Sequence, residues 1–231
     1  MTRSTEPITA YELSNDPRLS DWRPLLGVLH ARFETGSFGA GAALAAAIAQ
    51  VADELDHHPD LDLRYRHLTV RTVSHDVGHV SSRDVDLAVR VSELAAAAGH
   101  LAVPDSLSVL EIALDVVDMP ACRGFWAAVL GYAEGQDDVV DTHASLPSLW
   151  FQDMDPPRTE RGRFHLDLTL PPDVVQSRMA AALGAGGRLV SDEAAPSFWV
   201  LADPEGNEVC LCTWQGRAGS GEGPATDATA G

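Results

Sequence analysis

Residues 44–59 read LAAAIAQVADELDHHP. Leu44, Ile48, Val51 and Leu55 recur at steps of four, three and four, which is one apolar face of a helix. Pro59 disfavours helical geometry in the residue before it, so the helix is expected to stop at His57–His58. Leu61-Asp-Leu-Arg-Tyr65 alternates and predicts a strand. Leu68, Val70 and Thr72 continue the alternation beyond a turn at Arg66–His67, as in a hairpin. Ser81-Ser-Arg-Asp84 opens a second helix, with Val85, Ala88, Val91 and Leu94 on one face.

The whole chain has 231 residues, enough for one or two domains, and a net charge of −18. All 16 basic residues are Arg. Without Lys there is no Schiff-base chemistry, no pyridoxal phosphate attachment and no P-loop. The negative balance argues against nucleic acid or an anionic membrane as a partner, because phosphates are held by clustered cations. Cys122, Cys210 and Cys212 make no disulfide framework. Cys210 and Cys212 would share a strand face as small buried hydrophobes. The first residues lack the apolar core of a signal peptide, and no stretch approaches the roughly 18 apolar residues of a membrane span. The expectation is a reducing, cytoplasmic location.

Composition changes near residues 99–106. Residues 1–103 hold seven of the nine histidines and set 9 Arg against 14 acids, whereas the remainder sets 7 Arg against 20. The expected organisation is a first domain over 1–103, a second over 107–214, and a disordered Gly/Ala/Thr-rich tail over 215–231. The second half repeats itself. Trp126-Ala-Ala-Val-Leu-Gly131 resembles Met179-Ala-Ala-Ala-Leu-Gly184, and each copy follows an alternating strand, at 110–116 and 164–170.

His57, His58, His75 and Asp84 stand at predicted element ends, where functional groups are commonly displayed. Imidazoles exchange protons near neutral pH. Several on one pocket suit an elimination, with one group protonating a leaving hydroxyl and another removing a proton. The same residues also read as plain structure: His-His-Pro as a polar helix C-cap, and Asp84, three residues after Ser81, as the far member of a capping pair.

These residues resemble the pterin-4a-carbinolamine dehydratases. The resemblance rests on Ala52-Asp-Glu-Leu-Asp-His-His-Pro59, Tyr65, Ser74-His-Asp76 and Ser81-Ser-Arg-Asp84-Val-Asp-Leu-Ala88, with Trp22, Phe33 and Phe38 upstream, and covers roughly residues 8–100. It implies an α+β fold, a four-stranded antiparallel sheet with helices on one face. It also implies metal-free dehydration of a 4a-hydroxytetrahydropterin, such as 4a-hydroxytetrahydrobiopterin, to the quinonoid dihydropterin. By that carry-over, His57, His75 and Asp84 are catalytic, and His58, Asp53 and Asp76 bind substrate. Three departures stand out: His79 where the family usually has Gly, Thr35 in place of an aromatic, and an Ala-rich run at 40–47 that thins the local core.

In the second half, Asp203-Pro-Glu-Gly-Asn-Glu208 reads as a hairpin turn between two strands. With the duplication, it resembles the vicinal oxygen chelate superfamily of glyoxalases and bleomycin-resistance proteins, over about residues 107–214. The resemblance implies paired βαβββ modules around one cleft. In metal-using members each of four strands offers a ligand, and the matching positions are Glu111, Gln152, His165 and Glu208. That set suits a divalent ion. The rival is a metal-free cleft for a small molecule. Trp126, Trp150 and Trp199 either line such a cleft or belong to the core.

The sequence therefore predicts a dehydratase joined to a glyoxalase-like domain of unassigned role, acting on a small-molecule pterin and forming a homo-oligomer. The alternative is a metal-dependent lyase, isomerase or dioxygenase, or a small-molecule-binding protein, acting through the second domain with the first as a dimerisation scaffold.

Overall fold

The computed structural model describes residues 5–130, 132–143, 145–154, 164–184, 187–202 and 208–217. Gly131, the Asp203–Asn207 part of the predicted hairpin and residues 218–231 of the predicted tail lie outside them. The chain divides into two compact units. One comprises the residues up to Leu107 together with those from Trp214 onward, and the other is Ser108–Thr213.

The first unit runs α1 (Ala10–Asn15), β1 (Trp22–Leu25), β2 (Val28–Glu34), α2 (Phe38–Leu55), β3 (Asp60–Arg64), β4 (His67–Thr72), α3 (Ser82–Ala97) and β5 (Leu101–Ala102). The antiparallel sheet has the order β1-β2-β4-β3. The predicted four strands are therefore present, and the short β5 adds a fifth by pairing Leu101 and Ala102 with Glu34 and Phe33 of β2. One sheet face packs Leu29, Ala31, Phe33, Leu68 and Val70 against Leu44, Ile48 and Val51 of α2 and Val85, Leu87, Ala88 and Val91 of α3. The periodicity of α2 thus marks its buried stripe correctly. On α3, Leu87 is fully buried although it lies off the predicted stripe, because α3 also meets α2 and the turn of 3-10 helix at Pro17–Leu19.

By length and composition Phe38–Leu55 is apolar enough to cross a membrane, contrary to the reading that no stretch is. Here its apolar stripe is spent on the sheet and its last turns carry Asp53 and Glu54. The Ala-rich start of α2 also has a packing reason. A Cβ on Gly41 would come within 2.5 Å of Leu63 Cδ1 and 3.1 Å of Thr35 Oγ1. The small residues let β3 approach the helix closely, and Thr35 belongs to the same contact.

The second unit repeats one motif. Its first copy is β6 (Val109–Val116), α4 (Met119–Leu130), β7 (Ala133–Glu134), β8 (Asp138–Val140) and β9 (Leu149–Asp153). Its second copy is β10 (Phe164–Thr169), α5 (Pro172–Gly184), β11 (Arg188–Ser191), β12 (Phe198–Ala202) and β13 (Glu208–Cys212). The repeat predicts a duplicated strand–helix–strands unit, and these are the two βαβββ modules that the resemblance implies. Their strands join in one eight-stranded sheet, ordered β11-β12-β13-β10-β6-β9-β8-β7. The copies meet through the antiparallel β6–β10 pair, which sets Glu111 opposite Asp167 and Ala113 opposite His165. Under α4 the sheet packs Leu114, Val116, Phe151 and Val139, and under α5 it packs Trp199, Leu201 and Leu211 with Leu170 and Val175.

Ile48 has no exposed surface and sits at the centre of the first core. Ile48→Ala should lower the stability of the first unit by about 2–5 kcal/mol, from lost burial plus the cavity left behind. Urea unfolding followed by tryptophan fluorescence checks this, and a loss below about 1 kcal/mol would mean the site collapses around the gap or is not packed as described.

Candidate functional site

Helix α2 ends on Asp56, whose backbone is left-handed with φ 49° and ψ 44°. Aspartate tolerates that region better than most residues. Its N–H closes on Asp53 and Ala52, and the His57 N–H reaches the Ala52 carbonyl at 3.1 Å. The turn sends the two histidines to different surroundings: His57 is buried and His58 exposed.

His57 Nε2 lies 2.8 Å from Asp84 Oδ1. Asp84 is fully buried at the first turn of α3. Its Oδ1 also accepts from Thr72 Oγ1 at 2.7 Å. Its Oδ2 accepts from Ser74 Oγ at 2.6 Å and from the Ser81 amide at 2.8 Å. Ser81 in turn caps α3, accepting from the Arg83 amide at 3.2 Å, so Ser81 and Asp84 form the capping box. The capping-pair reading of Asp84 holds, and the same carboxylate that closes the helix also holds the histidine. Burial alone would raise the Asp84 carboxyl, but the hydrogen bonds from Ser74, Thr72, Ser81 and His57 outweigh it and hold the carboxyl below the usual aspartate value. With the carboxylate ionised, His57 Nε2 is the donor in this hydrogen bond.

Thr72 carries no functional signal in the sequence, where it shows only as the last residue of an alternating strand, and Ser74 shows only as the first residue of the Ser-His-Asp motif. Register explains Thr72: it pairs with Leu29 and so faces the helix side of the sheet.

Ser74 also starts the loop that carries His75 and Asp76. Its amide reaches the His79 carbonyl at 3.2 Å, and both Val77 and Gly78 amides return to the Ser74 carbonyl. The left-handed position belongs to Gly78, with φ 72°. The departure at His79 is thereby accommodated, since the neighbouring glycine takes the conformation that would have strained it. His79 instead bonds the Thr5 carbonyl through Nε2 at 2.8 Å.

His75 is exposed on this loop. Asp76, also exposed, receives both Arg83 terminal nitrogens, at 2.6 and 3.2 Å, and that guanidinium holds its carboxyl below the ordinary range. His58 Nε2 lies 3.1 Å from Asp53 Oδ1 on the surface. The structure thus joins the predicted residues as His57 with Asp84 and His58 with Asp53. Arg83, which the sequence pattern does not single out, is the partner of Asp76.

In the second unit, alternation and register put Glu111, Asp115, Gln152, His165, Asp167, Glu208 and Cys210 on the sheet face opposite the two helix-covered cores. Among the described residues, the group of His, Cys and carboxylate atoms close enough to hold a metal is His165, Asp167 and Cys210, all within 4.8 Å. Of the four positions read from the sequence, His165 belongs to it. Gln152 and Glu208 are exposed, and Glu111 accepts from Ser148 Oγ at 3.2 Å. Asp167 escapes a sequence reading because it is one acid in an alternating strand. Cys210 is buried as expected, yet it stands beside His165.

Asp167 hydrogen-bonds His165 at 3.2 Å and raises its imidazole. Burial pushes the Cys210 thiol up. Trp199 belongs to the core under α5 and Trp126 packs against the core under α4, but Trp150 donates Nε1 to Asp167 Oδ2 at 3.2 Å.

The pH behaviour of Asp84 follows from its lowered folded value. Its contribution to stability is complete above the unfolded aspartate value and is lost as pH falls through the folded one. Asp84→Asn leaves an amide N–H₂ facing donors and should cost about 1–3 kcal/mol at neutral pH. The gap between the variant and wild type should narrow as pH drops below about 4. Chemical unfolding at stepped pH measures it, and a gap that widens in acid would contradict the assignment.

Comparison with known proteins agrees with this layout. Residues 6–94 match the model of the pterin 4 alpha carbinolamine dehydratase family, and residues 111–212 match that of a glyoxalase-like domain. Two relatives carry the provisional name pterin-4-alpha-carbinolamine dehydratase. The one from Streptomyces coelicolor is 39% identical over 97 residues, spanning 41% of this chain and 94% of the relative. The one from Nocardia farcinica is 36% identical over 77 residues, spanning 33% and 81%. A solved glyoxalase/bleomycin resistance protein/dioxygenase superfamily member from Vibrio splendidus aligns with 46% of this chain and 99% of its own, at 11% identity and a TM-score of 0.32. The chain belongs to the pterin-4a-carbinolamine dehydratase family through its first unit, and carries a glyoxalase-like domain after it.

Proposed function

We propose that the first unit dehydrates a 4a-hydroxytetrahydropterin, with 4a-hydroxytetrahydrobiopterin as the representative substrate. The observation that carries this reading is the buried His57–Asp84 pair at 2.8 Å, set beside the His75 loop through the shared Ser74. In the reaction the C4a–O bond breaks, the hydroxyl leaves with an added proton as water, N5 loses its proton, and C4a=N5 forms. One group must give a proton and another must take one, and His57 and His75 fill these roles between them. Asp84 fixes the tautomer and orientation of His57. His58, Asp53 and Asp76 position the pterin. The reaction needs no redox change, so these side chains suffice for it. The working form is a homo-oligomer located in the cytoplasm.

The alternative places the main reaction in the glyoxalase-like unit and leaves the first unit as a scaffold. The His165, Asp167 and Cys210 group favours it. The dehydratase is favoured by the exposed His75, carried on the loop that starts at Ser74 beside the buried acid–histidine network.

The test is a dehydratase assay on 4a-hydroxytetrahydropterin generated in situ. Wild type should exceed the spontaneous rate, and His57→Ala and His75→Ala should each fall by ~10²-fold or more. Wild type no faster than the spontaneous reaction would sink the proposal.

A further inference from the structure

The second unit holds a side-chain group that the dehydratase reading leaves unused. We propose that His165, Asp167 and Cys210 bind a single divalent transition-metal ion of the zinc type, with a coordination position left open for water or an oxygen donor of a small ligand. The proposal is independent of the dehydratase reading.

Strand pairing builds the group. His165 and Asp167 are two residues apart on β10 and share a face, and Cys210 is the register partner of Asp167 on the parallel strand β13. No loop is needed to bring them together, so the sheet itself holds their spacing. His165 Nδ1 lies 3.2 Å from Asp167 Oδ1 and 3.8 Å from Cys210 Sγ. Zinc bonds of about 2.0 Å to nitrogen or oxygen and about 2.3 Å to sulfur, arranged as a tetrahedron, put neighbouring ligand atoms roughly 3.3–3.6 Å apart. These two separations fall on either side of that range, and all three ligand atoms lie within 4.8 Å of one another, so an ion would fit with adjustment of the side chains. Nitrogen, oxygen and sulfur donors together suit zinc and its neighbours, whereas magnesium and calcium take oxygen almost exclusively.

The surroundings supply the outer support such sites require. Metal-bound histidines commonly offer their second ring nitrogen to a carboxylate, which fixes the tautomer. His165 Nε2 faces the Asp115 carboxylate, with Oδ1 at 3.6 Å, close enough for it to become that partner with a small shift, while Nδ1 faces Asp167 and Cys210. The indole N–H of Trp150 holds Asp167 Oδ2 at 3.2 Å, leaving Oδ1 for the ion, and the Trp150 ring stands edge-on to His165. Three protein ligands with supported orientations and a free fourth position are the pattern of reactive rather than purely structural zinc sites.

Of the positions implied by resemblance, this set keeps only His165. Glu111, Gln152 and Glu208 are replaced by Asp167 and Cys210. The two sets make opposite predictions, which cobalt can separate.

Full-length protein freed of metal is titrated with Co²⁺ alone and followed by absorption. Thiolate bound to cobalt gives a near-ultraviolet charge-transfer band, and a tetrahedral ion gives intense visible bands. The expected result is one ion per chain with both signals. The charge-transfer band should vanish in Cys210→Ser and persist in Cys212→Ser and Cys122→Ser. Asp115→Asn should retain the band but weaken affinity about 10–100-fold. Far-ultraviolet circular dichroism separates lost binding from lost folding, and wild type and Asp115→Asn decide the question should Cys210→Ser not fold. Failure to bind stoichiometric Co²⁺ overturns the proposal. So does a charge-transfer band that survives Cys210→Ser, or binding that depends on Glu208 and Gln152 and not on Asp167 and Cys210.

Discussion

The first unit is organised around one buried carboxylate. Leaving an ion unpaired in the interior costs several kcal/mol, so a fully buried Asp84 requires its donors to be in place. Those donors come from four parts of the chain: His57 beyond the end of α2, Thr72 at the end of β4, Ser74 in the following loop, and Ser81 at the cap of α3. Satisfying Asp84 therefore sets the exit of one helix, the start of another and the base of the loop carrying His75. The histidine proposed for catalysis is held by the same bonds that close the fold. A change to Asp84 is expected to affect stability and reaction together.

The second unit divides its labour between the two faces of one sheet. The helix-covered side is two separate apolar clusters, one beneath each copy of the repeat. The other side gathers acids, a histidine and two cysteines from four strands. Because strand residues alternate, a polar residue next to a buried Leu or Val costs the core nothing. The Phe164–Thr169 strand shows this directly: Leu168 packs toward α5 while His165 and Asp167 meet Cys210 on the far side. Duplication supplied the strands, but the two copies do not contribute equally to the group, since all three members belong to the second copy.

Sequence periodicity located α2, the β3–β4 hairpin and α3, and the repeat located both βαβββ modules. These are local patterns whose burial follows directly from spacing. The catalytic candidates were legible for a related reason: His57, His58 and His75 stand at element ends and are chemically conspicuous. Thr72 was not, nor was the role of Ser74 within its motif, because each depends on facing a carboxylate ten or more residues away. His79 stands out as a departure only when its position is taken alone, whereas its neighbour Gly78 carries the left-handed conformation.

By itself the sequence determined the order and type of the principal elements, the two-part organisation and the identity of the acid–base candidates, since all of these are written in spacing along the chain. The tertiary structure decided which groups touch. It paired His57 with Asp84, gave Asp76 to Arg83, and brought His165 together with Asp167 and Cys210 in place of a four-strand ligand set. For the last group the physical reason is register: which residue of one strand stands opposite which of the next is set by packing across the sheet, and a one-residue slip would turn these side chains to the other face. The first two pairs depend instead on how the end of α2, the loop after β4 and the start of α3 pack together.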